Sequence, residues 1–194
     1  MMICARCHKK NACRTGDNCT GLDADNIKGL YDEKDVATMK EAAFVEGTYY
    51  MQKCRLEEVA IFARDMGMKK LGLAFCTGLA EEAKIIEAYY AKFFQVTSVA
   101  CKVCGIDKND FELKHVRENT FEAMCNPKAQ AKILNDAQTE LNLLVGLCIG
   151  HDILFTQNCQ APVTCLVVKD RVLTHNPLGA VYSKYWRNKL EISV

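Results

Sequence analysis

Short apolar runs alternate with amphipathic segments from about residue 70 to the C-terminal region, and this alternation predicts an α/β fold. The expected architecture is three-layered and Rossmann-like or flavodoxin-like, with a mainly parallel sheet of about four strands. Two properties of the whole chain agree with it. Hydrophobic residues make up 49% and charged residues 25%, ordinary globular usage that argues against disorder. A length of 194 residues suffices for one substantial core and a small appendage. The expected division is a cysteine-rich, metal-binding knuckle over 1–24 and an α/β domain over 25–194.

The first two dozen residues hold Cys4, Cys7, Cys13 and Cys19 among Lys, Arg, Asn, Gly and Asp, too few apolar anchors for a core. From about Asp32 the apolar positions Val36, Met39, Ala43 and Phe44, then Leu56, Val59, Ile61 and Phe62, recur at helical spacing before Gly67. They predict two helices or one bent helix. The first strand is Lys70–Phe75, and the amphipathic helix after it runs from about Thr77 to Phe94. The second strand is Gln95–Ala100, followed by an irregular polar stretch through Glu118. Cys125-Asn126-Pro127 starts a helix reaching about Glu140, because Asn caps and Pro is tolerated in a first turn. The third strand is Asn142–Leu147 with a short helix after Gly150, and the fourth is Val163–Val168. A last helix begins near Pro177.

Charge narrows the partners. Lys and Arg total 25 against 24 Asp and Glu, so the net charge of +1 provides no field for phosphate backbones or anionic lipid. Neither nucleic acid nor membrane is expected as a partner. No run approaches the roughly 18 apolar residues of a membrane span, and the N-terminus lacks the apolar region of a signal peptide. The expected location is the cytoplasm, where 12 cysteines are not explained by a disulfide framework and point instead to metal ligation or thiol chemistry.

The cysteines fall into two sets. Cys4, Cys7, Cys13 and Cys19 follow the spacing Cys-x2-Cys-x5-Cys-x5-Cys, short enough for four sulfurs to surround one ion, with Gly16 available for a tight turn. Zinc is the first choice there and an iron–sulfur cluster the second, with His8 a substitute ligand; a disordered basic tail is the plain alternative. The second set is dispersed. Cys76, Cys101 and Cys148 each follow a predicted strand, and a parallel sheet brings such positions to one edge, where open α/β folds bind ligands. Cys125, before the Asn-Pro helix start, can reach the same edge. Helix N-termini there favour thiolates. These four are the candidate ligands of an iron–sulfur cluster, against the alternative that each is a small buried hydrophobe. Cys101-Lys102-Val103-Cys104 also fits a redox Cys-x-x-Cys pair, ranked lower because a turn follows it rather than a helix. Cys54, Cys159 and Cys165 read as structural.

Polar companions lie close by. His151 and Asp152, just past Cys148, suit a proton donor, a ligand and its support, or a mere loop cap. Lys169-Asp170-Arg171 and His175-Asn176-Pro177 suit binding of an anionic group or a solvated turn. Gly-x-Gly-x-x-Gly is absent, and nothing points to a dinucleotide.

The Cys4, Cys7, Cys13 and Cys19 array resembles that of a prokaryotic family of uncharacterised metal-binding proteins classified as domain of unknown function 1847. So do Gly72-Leu73-Ala74-Phe75-Cys76, Cys125-Asn126-Pro127, Gly146 to Asp152, Lys169 to Leu173 and His175-Asn176-Pro177. The resemblance spans nearly the whole chain and implies metal binding without naming a reaction. Cys104 departs from it, standing where a glycine is expected. Two functions are therefore carried forward. One is an iron–sulfur protein serving electron transfer or the chemistry of a small anionic or sulfur-containing molecule. The other is a zinc-binding interaction or metal-handling module. A thiol enzyme with Cys148 as nucleophile and His151 as base comes third. Redox partner and oligomeric state are not legible.

Overall fold

The computed structural model describes residues 4–9, 12–118 and 120–192. Its contacts divide the chain into two compact units, Met1–Thr48 and Tyr49–Val194. Of the 1–24 segment, residues 1–3, 10 and 11 lie outside the described residues. The rest forms two short 3-10 turns, Cys4–Arg6 and Ala12–Thr15. They are followed by α1 (Ala24–Lys28) and α2 (Glu33–Tyr49). Asp23 caps α1 by accepting the Asn26 N–H at 2.8 Å, and Asp32 caps α2 by accepting that of Asp35 at 2.8 Å.

The second unit contains α3 (Arg55–Asp65), β1 (Lys70–Phe75), α4 (Ala80–Tyr90), β2 (Gln95–Ala100), α5 (Pro127–Asp136), β3 (Leu141–Val145), α6 (His151–Asn158), β4 (Val163–Val167), α7 (Leu178–Tyr182) and α8 (Lys184–Lys189). All four strands are parallel, in the order β2-β1-β3-β4, the arrangement of a flavodoxin-like sheet. Burial follows position: every residue of β3 is buried, whereas the edge strands β2 and β4 are mostly half-exposed.

Alternation along the strands builds the two faces. Leu71 and Leu73 of β1 and Leu141, Leu143 and Val145 of β3 pack with Val59 and Ala63 of α3 and Ala83, Ile86 and Tyr90 of α4. On the other face Ala74, Val99 and Leu144 meet Ala131 and Leu134 of α5 and Phe155 of α6. Helices thus cover both faces, and the three-layer expectation holds. No helix among the described residues is long and apolar enough to cross a membrane.

The boundaries that differ do so for local reasons. The helix expected from Thr77 begins at Ala80, because the Leu79 N–H bonds the Cys76 carbonyl at 2.8 Å and closes a 3-10 turn first. The helix expected to reach Glu140 stops at Asp136. Gln138 then takes φ 54, and Glu140 accepts the Lys70 N–H at 2.8 Å, joining β3 to the start of β1. The last helix is broken at Ser183, which caps α8.

Parallel register aligns the strands' carboxyl ends. Phe75 pairs with Ala100 and Val145, and Val145 pairs with Val167. Beyond β3 the chain turns at Gly146 (φ 63), where an added Cβ would run into the Leu79 side chain. Cys148 therefore follows β3 by three residues rather than directly.

Candidate functional site

Cys76 follows β1 and Cys101 follows β2, both buried; Cys125 precedes the N-cap of α5 and Cys148 precedes α6, both half-buried. Cys101 and Cys125 are drawn together by the backbone. The Asn126 N–H donates to the Cys101 carbonyl at 2.7 Å, while the Asn126 side chain caps α5 by accepting the Ala129 N–H at 3.1 Å. The two sulfurs lie 3.7 Å apart, Cys125 donating to Cys101. Cys101 Sγ also accepts the Thr77 N–H at 3.4 Å, with the Thr77 hydroxyl at 3.8 Å.

Cations face the remaining sulfurs. Lys169 Nζ donates to Cys76 Sγ at 3.4 Å and Arg171 Nη2 to Cys148 Sγ at 2.8 Å. The hydrogen bond from Cys125, then those from Thr77, lower the Cys101 thiol to about 5 against the opposing effect of burial. Cys125 is pushed up by the same contact and then by burial. Arg171 is held more firmly protonated, first by its hydrogen bond with Cys148. The three cysteines chosen from strand ends and Cys125, chosen from the helix start, thus lie within one another's electrostatic influence.

From the sequence, the residues after β4 suit an anion-binding group or a solvated turn; in the structure Lys169 and Arg171 donate to sulfur. Asp170 shapes the turn by accepting the Val172 and Leu173 N–H groups at 2.9 and 2.8 Å, and its own N–H donates to His175 Nδ1 at 3.1 Å. Gln130 escaped notice. It is buried, and its Nε2 bridges the Phe75 and Val99 carbonyls at 3.3 and 2.9 Å, tying α5 to the ends of β1 and β2 beside the cysteines. The available signal was a polar residue in the helical stripe Pro127, Gln130, Ala131, Leu134.

His151 and Asp152 open α6, where both backbone N–H groups bond the Cys148 carbonyl at 2.9 and 3.1 Å. The Asp152 charge raises the Cys165 thiol of β4, after burial as the larger cause. Cys4, Cys7, Cys13 and Cys19 are all exposed, and Gly16 takes the left-handed turn at φ 87. Among the described residues no three His, Cys, Asp or Glu side chains are gathered as a ready-made metal site, at the sheet edge or in the N-terminal segment.

Residues 15–166 match a family described as a protein of unknown function, DUF1847. Over 190 residues the chain is 50% identical to an uncharacterized protein of Methanocaldococcus jannaschii, an alignment covering 97% of this chain and 98% of that protein. The matched segment holds Cys19 and all four sheet-edge cysteines; Cys4, Cys7 and Cys13 precede it, and Lys169 and Arg171 follow it.

Proposed function

This chain belongs to the DUF1847 family, whose description names no reaction, and we propose that it is a metal-thiolate protein centred on Cys76, Cys101, Cys125 and Cys148. The observation that carries this reading is the 3.7 Å between the Cys101 and Cys125 sulfurs. Two thiolates on one tetrahedral ion at a metal–sulfur length of about 2.3 Å stand about 3.8 Å apart. The donor set also fits by charge. Four thiolates about a dipositive centre carry roughly −2, which the adjacent Lys169 and Arg171 balance. Cys76 and Cys148 complete the set by closing toward the pair.

The close pair favours one ion, zinc or a single iron, with Cys101 and Cys125 sharing it. An iron–sulfur cluster is the second reading. It is favoured by the donors to sulfur from Thr77, Lys169 and Arg171, since hydrogen bonds to cluster sulfurs raise reduction potential. A single ion supplies Lewis acidity; a cluster supplies electrons. Around either, Arg171 and Lys169 offer hydrogen bonds to a small anionic or sulfur-containing molecule reaching the half-buried side of Cys148, and His151 is placed in the chain to exchange a proton there. Cys4, Cys7, Cys13 and Cys19 form a second proposed site, for zinc or a cluster, supported by spacing alone.

The test is an absorption spectrum with iron, zinc and acid-labile sulfide analysis on protein purified without oxygen, comparing wild type with Cys148→Ala and Cys7→Ala. Metal without sulfide that is lost in Cys148→Ala supports the single-ion centre. A brown, sulfide-containing chromophore lost in that variant supports the cluster. Metal removed only by Cys7→Ala overturns the sheet-edge centre and leaves a zinc-binding module.

A further inference from the structure

We infer that Cys101 and Cys125 are a redox-active dithiol pair that exchanges with low-molecular-weight disulfides. The proposal rests on their juxtaposition and does not require a metal to be bound. The sequence pairs Cys101 with Cys104 in a Cys-x-x-Cys motif. The fold instead puts the Cys101 sulfur 3.7 Å from that of Cys125 across a long loop, and the Asn126–Cys101 backbone hydrogen bond clamps the two segments where a cross-link would form. Cys104 is exposed and sits in a left-handed turn at φ 75. Closing the Cys101–Cys125 bond asks the sulfurs to approach from 3.7 Å to about 2.05 Å, within the reach of side-chain rotation.

Exposure and hydrogen bonding assign different parts to the two sulfurs. Cys125 is half-buried and accessible to a small disulfide, whereas Cys101 is only 2% exposed and is surrounded by donors. Cys125 loses its proton to solvent and attacks one sulfur of RS–SR. The RS–SR bond breaks, the first RS⁻ departs with the electron pair and takes a proton from water, and a mixed disulfide is left on Cys125. Cys101 then attacks the Cys125 sulfur, expelling the second RS⁻, which takes a proton from water. Two cysteine sulfurs are oxidised to one disulfide, and one disulfide is reduced to two thiols that take up their protons from solvent. The Thr77 N–H stays on the Cys101 sulfur and stabilises its anionic form in the reverse reaction, when that sulfur is the leaving group. If the metal centre proposed above is filled, closure removes two of its ligands and the ion leaves with it.

The experiment is equilibration of the full-length protein with glutathione disulfide, both as purified and after chelator treatment. Alkylation, peptide mapping by mass spectrometry and metal analysis follow on each sample. The expected result is a Cys101–Cys125 cross-linked peptide pair, reversed by excess reduced glutathione, and present in Cys104→Ser. Cys125→Ser should lose the cross-link and also fail to form the mixed disulfide at position 125, whereas Cys101→Ser should stop at the mixed disulfide on Cys125. A Cys101–Cys104 cross-link in wild type, or no Cys101–Cys125 bond in either preparation, overturns the proposal. Protein that holds no metal as purified and forms the bond counts against the metal centre alone; metal-loaded protein that never forms it, even when stripped, counts against the dithiol alone.

Discussion

Cys104 has a β-carbon at a backbone angle, φ 75, that L-residues avoid, and Gly105 beside it is at φ 60. The left-handed region costs a non-glycine residue about 1–2 kcal/mol, and glycine gives part of that back in unfolded-chain entropy. Cys104→Gly is therefore expected to stabilise the protein by about 1 kcal/mol, measured as a rise in the urea midpoint at unchanged slope. A lower midpoint would mean that the Cys104 sulfur makes a stabilising interaction that outweighs the strain. The family resemblance expects glycine here, and the φ angle supplies the physical reason. Neither composition nor periodicity carried that signal.

Gln130 works where three elements meet. Its amide joins the Phe75 and Val99 carbonyls, so Gln130→Leu keeps the volume and removes both bonds at a buried position. A loss of about 2 kcal/mol follows from leaving the carbonyls without that donor. Where the proposed metal centre is filled, weaker metal binding there should accompany it, read by competition with a chelator. An unchanged unfolding midpoint would show that other donors replace the amide.

The connection from β2 to α5 delivers Cys125 to Cys101, and it is closed by Lys108–Glu122 at 2.8 Å and by the Val116 N–H on Glu122 at 2.7 Å. First the Lys108 hydrogen bond and then that of Val116 hold the Glu122 carboxyl at about 2. Because the folded value lies below the ordinary 4.5, this closure contributes fully above that pH and is lost as pH falls from 4.5 toward 2. A carbon-13 titration of the Glu122 side chain should give a midpoint near 2, and Glu122→Gln should loosen the loop even at neutral pH. A midpoint near 4.5 would mean that the loop is not held this way.

Legibility follows the range of the interactions. β1 and β2 match their sequence limits because β-branched and leucine-rich runs end at polar turns, and the Asn126-Pro127 start of α5 is a local capping signal. Where α4 begins, where α5 stops and how the C-terminal helix breaks depend on turns whose hydrogen bonds reach other elements or on a single serine cap. The alignment of the carboxyl ends of β1, β2 and β3 was legible because a parallel sheet brings strand ends together; Cys76 and Cys101 sit directly at those ends, whereas Cys148 lies three residues beyond β3, past the Gly146 turn. The pairing of Cys125 with Cys101, and the turning of Lys169 and Arg171 onto sulfur, depend on loop geometry that no spacing encodes.

At the scale of the molecule, the sheet-edge cysteines come from four separate chain segments that only the folded sheet assembles, so an ion bound by all four is bound by the folded state alone. Such binding stabilises folding by mass action, by about 4 kcal/mol at a metal concentration a thousandfold above the dissociation constant. For a domain of this size each kcal/mol moves the melting midpoint by about 2–4 °C, and metal should therefore raise it by about 10 °C. The Cys4–Cys19 segment is local in sequence, so an ion held there orders its own loop and needs nothing from the sheet. Calorimetry separates the two: the metal-dependent rise should vanish in Cys148→Ala and persist in Cys7→Ala. A metal-containing preparation whose main transition is unmoved by chelator would place the ion outside the sheet edge, with the four thiols there left to packing and exchange chemistry.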